Sequence, residues 1–372
     1  MTDCTITFYP AGCADAAKIR YKGTDKNMHT IFVDSGFKST YDSFLSQEIA
    51  DLEKLGEQID LCVITHIHDD HIKGMETYVK HILTGRKKDL VGTWWYNIPR
   101  LSAKTFPAIK RATSVSSAKS IGSADLLSEY LIKNSRPVTD ITTGMETVDF
   151  AGLTFTLLSP SPEGLASLKD KYMSADTLFE RQECQKISEA KSAKQRDHST
   201  RLKDFDLDKG EEDDSVENRS SIAFFTTFRE KTVLWLADTH ASTIVTSLRE
   251  KGYSEENPLV CNLVKVSHHG SIGNNSNELF SLIRCDTYLF SVNGINKHSL
   301  PDKASMARIL RNPIRPTDMH YIFYFTSDDD ILRNIFEVDG EEVFGEFNFS
   351  VLYSETVLNL SFDPVKHNLY HR

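Results

Sequence analysis

The feature that most restricts this chain is an apolar run, IDLCVIT over Ile59–Thr65, that stops on HIHDDH, His66 to His71. A continuous apolar run of strand length suits a strand buried on both faces, and so a sheet covered by other layers. The residues that follow, HIKGMETYVKHIL, carry apolar side chains at helical spacing,. The histidine cluster therefore falls on a strand-to-helix corner. Side chains alternate along a strand, so His66 and His68 can share a face. Asp70 can cap the helix that begins there, and His71 falls on its first turn. One corner thus presents three imidazoles and a carboxylate to a single point. These donors suit Zn²⁺, and also Fe or Mn. Crowded together without a cation, they would lack partners.

The pattern recurs twice. VLWLADTH is an apolar run that ends on Asp238, and LVKVSHHGS is one that ends on His268 and His269. Three such ends can converge on one metal centre, where a carboxylate between two cations about 3.5–4 Å apart bridges them. IFVDSG adds Asp34 at a fourth strand end. Its expected role is to orient a ligand imidazole rather than to ligate.

The rest of the chain alternates strand-like runs with helical segments, and no fixed repeat is present. Two mixed sheets packed face to face with helices outside, an α/β sandwich of αββα type, satisfy that order. We expect one domain over 1–372, with a charged helical and loop insert at about 163–218 and a C-terminal strand region at about 320–362. The acidic run in the insert reads as solvated surface. Trp94, Trp95 and Tyr96 read as core rather than as a base-stacking platform. The net charge is −10, so a global nucleic-acid footprint is absent,. GRKKDL, Arg100 to Lys110 and Arg308 to Arg315 could still supply a local basic surface. No apolar run approaches a membrane span and no leader is visible, so no membrane association is expected. The six cysteines form no CxxC pair, which fits a cytoplasmic, disulfide-free protein,. Neither GxSxG nor GxxxxGK[ST] occurs, which argues against serine-nucleophile and ATP-driven chemistry.

THIHDDH resembles the HxHxDH signature of the metallo-β-lactamase fold hydrolases, and the likeness runs from about Thr5 to Asp330. FYPAGCADAAKIRY with HTIFVDSG, NRSSIAFFTTFREKTVLWLADTH, VKVSHHGS and LFSVNGINKHSLPDKASMARIL are similar to one branch. That branch is the soluble hydrolase domain of ComEC-type DNA-uptake proteins and their free-standing relatives. The resemblance implies that His66 and His68 bind a first metal, and that Asp70 and His71 bind a second. It implies that Asp238 bridges and that one of His268 and His269 completes the second site. It also puts His298 near the site, as a catalytic residue alongside Asp70. Two departures stand out. The histidine that many members carry before the bridging aspartate is absent near Ser159 and Pro160, and His198 or His240 could replace it. Otherwise His240 sits with Asp34 among the residues that orient ligands. The family's usual glycine before that aspartate is Ala237.

The implied chemistry is hydrolysis by metal-activated hydroxide, with one or two ions, Zn²⁺ first and Mn²⁺ or Fe as alternatives. The expected reaction is phosphodiester hydrolysis, by a nuclease or a nucleotide phosphodiesterase. The alternatives are an ester, thioester or lactone hydrolase, and a metal-binding regulatory protein that docks a protein partner through the charged insert.

Overall fold

The computed structural model describes residues 4–100, 116–178, 196–362 and 369–371. The first sheet contains β1 (Cys4–Phe8), β2 (Ala16–Lys22), β3 (Met28–Ser35), β4 (Ile59–Ile64), β5 (Val91–Tyr96), β16 (Leu358–Phe362) and β17 (Leu369–His371). Its order is β17-β16-β1-β2-β3-β4-β5. β3, β4 and β5 run parallel, and the other neighbours antiparallel. The second sheet contains β6 (Val148–Phe150), β7 (Leu153–Ser159), β8 (Ala223–Phe228), β9 (Lys231–Trp235), β11 (Leu263–Lys265), β13 (Thr287–Phe290), β14 (Tyr321–Phe325) and β15 (Phe349–Tyr353). Its order is β15-β14-β13-β11-β9-β8-β7-β6, parallel from β15 to β9 and antiparallel beyond. β10 (Leu259–Val260) and β12 (Ile283–Arg284) form a separate short parallel pair.

The apolar run in β4 shows why the layers form. Leu61 and Val63 join a core with Phe155, Leu157, Phe224 and Trp235 of the opposite sheet. Cys62 and Ile64 point the other way, onto Ile72, Met75 and Val79 of the helix Asp69–Leu83. The two-residue period therefore buries both faces, as a strand between two layers must. β9 repeats the scheme: Val233 and Trp235 face the first sheet, and Leu234 faces Ile244 and Leu248 of the helix Ala241–Glu250. The result is the αββα sandwich expected from the sequence. Trp94, Trp95 and Tyr96 lie in its cores. The last strand-like stretch divides between layers. β15 extends the second sheet, whereas β16 crosses to the first and pairs with β1.

One close approach positions the site. Gly74 lies in the helix Asp69–Leu83, and a Cβ there would sit 2.2 Å from the Ser35 carbonyl oxygen. The Ser35 hydroxyl donates to the His71 carbonyl at 2.7 Å, and the Gly74 N–H donates to the Gly36 carbonyl at 3.0 Å. The helix is thus pressed onto the end of β3, bringing His71 beside Asp34.

The described part of the insert packs closely against the fold. Asp197 accepts from the N–H groups of Lys303 and Ala304 at 2.8 Å, capping the helix Lys303–Leu310 from a distant point in the chain,. Arg308 donates to the carbonyls of Leu207, Lys209, Ile272 and Asn275. Residues 179–195 of the insert, and Leu101 to Lys110 of the expected basic surface, lie outside the described residues. No helix among the described residues is long and apolar enough to cross a membrane.

Candidate metal centre

β3, β4, β9 and β11 all end at one rim, where the chain delivers Asp34, His66, Asp238 and the His268–His269 pair. Just beyond β4, His68 occupies the cap position of the next helix with extended backbone, and Asp69 is the first helical residue. This corrects the expected capping role of Asp70. Asp70 lies inside the first turn, and its carboxylate is turned to His269, with Oδ2 3.2 Å from Nε2.

Two groups of ligand-type atoms share Asp238. Asp70, His71, Asp238 and His269 form one, and His66, His68 and Asp238 the other, with the atoms of each group within 4.8 Å of one another. In the second group His66 Nε2 stands 3.0 Å from His68 Nδ1. Asp238 Oδ2 lies 3.3 Å from His71 Nε2, 3.7 Å from His268 Nε2 and 3.8 Å from His66 Nε2. Asp238 and His71 are buried, yet His71 Nε2 and both Asp238 oxygens have no hydrogen-bond partner. Buried polar atoms without partners are costly, about 1–3 kcal/mol each. A cation between them would satisfy all three, so the donor set fits a borderline-to-hard divalent metal ion.

The surrounding groups fix which ring nitrogen points inward. Asp34 accepts from the Thr65 N–H, the Thr65 hydroxyl and His71 Nδ1, each at 2.8 Å. The Nδ1–H of His269 donates to the Ser291 carbonyl at 2.7 Å. Each contact commits Nδ1 and leaves Nε2 facing the cluster, the arrangement that prepares an imidazole for metal binding. Burial disfavours the Asp238 carboxylate, but His71, His268 and His269 outweigh it and hold the group well below the usual carboxylate range. Burial also opposes charge on His71, yet Asp238, Asp34 and Asp70 raise it well above an ordinary histidine. Burial, then His71 and His68, depress His66. The carboxylates thus call for positive charge where the imidazoles converge.

Several participants escaped the sequence reading. Asp15, on the loop before β2, approaches His71 Nδ1 at 3.8 Å and His269 Nδ1 at 3.6 Å, and forms a buried ion pair with Lys265. Asp213 belongs to the acidic run expected to be solvated surface. It is partly buried, with Oδ2 3.5 Å from His268 Nδ1, and accepts from the side chains of Asn218 and Asn274. His268 first, then Asn218, the Ser215 N–H and Asn274, hold its carboxyl well below the usual range against its own burial. Lysine inside the apolar run LVKVS was a usable signal for one of these residues. A single aspartate in a polar loop carries none.

Other expected residues fall elsewhere. Ser159, where a family histidine was missing, is buried at the end of β7 with its hydroxyl toward the Arg219 carbonyl. Neither suggested substitute reaches the cluster: His198 Nε2 is 3.0 Å from the Pro301 carbonyl, and His240 Nε2 is 3.9 Å from Asp213. His240 instead occupies the cap position of the helix Ala241–Glu250, and orients no ligand directly. His298 is exposed, and partial burial, then Lys297 and His268, push it down to about 4. Ala237 has φ 47°, a left-handed conformation that favours glycine, the residue the resemblance implied at this position,.

Residues 25–85 match the family model described as the Metallo-beta-lactamase superfamily. The αββα sandwich built around that segment is consistent with the metallo-β-lactamase fold. Among solved structures, the chain is similar to a mutant of CmlA beta-hydroxylase, at 14% identity over 97% of this chain and 54% of that one, with a TM-score of 0.40. It therefore spans about half the length of that protein. It is also similar to a metallo beta lactamase from Hirschia baltica, at 14% identity over 38% of this chain and 48% of that one, TM-score 0.19. A protein of unknown function from Enterococcus faecalis is similar at 10% identity over 95% of this chain and 88% of that one, TM-score 0.27. None of the curated proteins matches the chain.

Proposed function

We propose that the chain is a metal-dependent hydrolase acting on a phosphodiester in a nucleotide or short oligonucleotide. The observation that carries the reading is Asp238, a buried carboxylate shared by two ligand groups with neither oxygen hydrogen-bonded. His66 and His68 on one side of it, and Asp70, His71 and His269 on the other, are the residues that would hold one or two cations, Zn²⁺ or else Mn²⁺ or Fe. When bound, such a cation supplies water activated near neutral pH and polarisation of a phosphoryl oxygen. Asp34 keeps His71 in the tautomer that leaves Nε2 free,. Asp70, at 25% side-chain exposure the most open carboxylate of its group, orients the attacking water. His298 and Lys297 are exposed near the site, where an N–H and a positive charge can meet developing phosphate charge,.

The resemblance of VKVSHHGS and its neighbours to ComEC-type hydrolases supports a phosphodiester. Charge placement favours a short one. Arg100 pairs with Asp125, while Arg308, Arg311 and Arg315 donate to backbone carbonyls, so these arginines form no basic track. Arg86 and Lys88 lie past the far end of a 15-residue helix, about 22 Å along its axis from Asp69,. Cys62, Cys261 and Cys285 are buried thiols outside any disulfide, which fits a cytoplasmic protein,.

The test is a substrate panel with Mn²⁺ or Zn²⁺: bis-aryl phosphate, cyclic and linear dinucleotides, long DNA, thioesters and lactones. Phosphodiesters should be cleaved, dinucleotides faster than long DNA, with activity lost in His68→Ala and Asp238→Ala. Turnover of thioesters or lactones alone would overturn the substrate class. Tight cation binding without any turnover would point to a regulatory metal protein instead.

A further inference from the structure

We infer that His268 supplies the third imidazole on the His66–His68 side, taking the place of the strand histidine that Ser159 and Pro160 lack. The inference rests on the metal-dependent reading above. Two adjacent histidines at the end of β11 both adopt left-handed backbone, φ 45° at His268 and 54° at His269. For non-glycine residues this conformation is strained. The turn sends both rings toward one carboxylate, with Nε2 of His268 at 3.7 Å and of His269 at 4.0 Å from Asp238 Oδ2. Their outer nitrogens are held separately. His269 Nδ1 donates to the Ser291 carbonyl, and this ring joins Asp70 and His71. His268 Nδ1 lies 2.8 Å from Asn274 Oδ1, with Asp213 Oδ2 at 3.5 Å behind it.

That second cradle is built for an imidazole with a fixed tautomer. Asn274 can accept only through Oδ1, because its amide nitrogen donates to Asp213 at 3.0 Å and to the Asp238 carbonyl at 3.0 Å,. The proton therefore sits on His268 Nδ1, and Nε2 of the neutral ring is an acceptor. It faces another acceptor, Asp238 Oδ2, which is buried and has no hydrogen-bond partner. Two acceptors facing each other need a cation or a proton between them. An imidazole meant only for substrate would aim its free nitrogen at the open cleft, whereas His268 aims it at the buried carboxylate. In the structure His268 belongs to neither ligand group; its ring packs edge-on against His269, and its Nε2 faces the cluster at Asp238. His66 approaches the same Oδ2 at 3.8 Å and is grouped with His68 and Asp238 only, one imidazole fewer than three.

The experiment is a Co²⁺ titration of the full chain, read by visible absorption and by elemental stoichiometry. Wild type should take up two equivalents. His268→Ala should weaken one of them by at least about tenfold, and it should be the equivalent that His66→Ala also weakens. The double variant should lose that same equivalent and keep the His71-dependent one. His269→Ala should instead weaken the equivalent that depends on His71. His268→Gln keeps a polar group at the turn and repeats the test should the alanine variant misfold. Wild-type affinity for both equivalents in the folded His268 variants would overturn the assignment. So would loss of the His71-dependent equivalent, or a wild type that binds no Co²⁺. These are binding results, so a failed substrate panel would sink the hydrolase reading without touching them.

Discussion

Replacing Asp34 by asparagine isolates the link between fold and site. The carboxylate receives three donors: Oδ1 takes the Thr65 N–H, and Oδ2 takes the Thr65 hydroxyl and His71 Nδ1, all at 2.8 Å. Asparagine has one acceptor oxygen, so one side must change. With the oxygen at the Oδ2 position, the Thr65 N–H faces an NH₂ group and loses its partner, costing about 1–3 kcal/mol. With the amide reversed, His71 must accept at Nδ1 and carry its proton on Nε2, which removes the nitrogen that faces Asp238. Either way Asp34→Asn should lower the stability of the metal-free protein by about 1–3 kcal/mol in urea unfolding. It should also weaken cation binding by on the order of 10–100-fold in equilibrium dialysis with Co²⁺. A variant that loses stability but binds Co²⁺ as wild type does would refute the orienting role, leaving Asp34 as a purely structural acceptor.

Two further outcomes follow from packing and charge. Gly74→Ala forces the helix Asp69–Leu83 away from the Ser35 carbonyl, which its Cβ would approach to 2.2 Å. Thermal and urea unfolding should show a loss of about 1–3 kcal/mol, with weaker Co²⁺ binding because His71 moves off Asp34; unchanged unfolding would contradict the close approach. His29 on β3 is partly desolvated, which opposes charge, but Asp25 at 3.0 Å and Asp60 at 3.2 Å outweigh that and raise its pKa. Its contribution is therefore complete below the unfolded value near 6.5 and disappears as pH rises through the folded value. The stability gap between wild type and His29→Gln should be larger at pH 5.5 than at pH 9, and a gap independent of pH would refute the assignment.

The legible part of this molecule is where chemistry follows directly on pattern. IDLCVIT had to be a strand buried on both faces, so the residues behind it had to lie at a sheet edge, and the runs ending on Asp238 and His268 followed the same logic. Sequence could not say that Arg308 turns inward to four carbonyls, because a positive charge in a chain does not fix the direction of its guanidinium. Nor could it pair Asp15 with Lys265, which stand 250 residues apart and meet only because the two sheets face each other. Asp213 looked like one more solvated acid, and only the docking of its loop against Asn274 and His268 gives it a role. The cap of the helix after β4 went to His68 rather than Asp70 because the helix starts two residues earlier than its apolar spacing shows.

Anomalous diffraction from crystals grown with Zn²⁺ or Mn²⁺ reaches the central claim most directly. A peak should lie within coordination distance, about 2.0–2.3 Å, of an Asp238 oxygen and of imidazole nitrogens from His66, His68, His71 or His269. Crystals whose peaks all lie elsewhere, with Asp238 bonded only to protein or water, would contradict it.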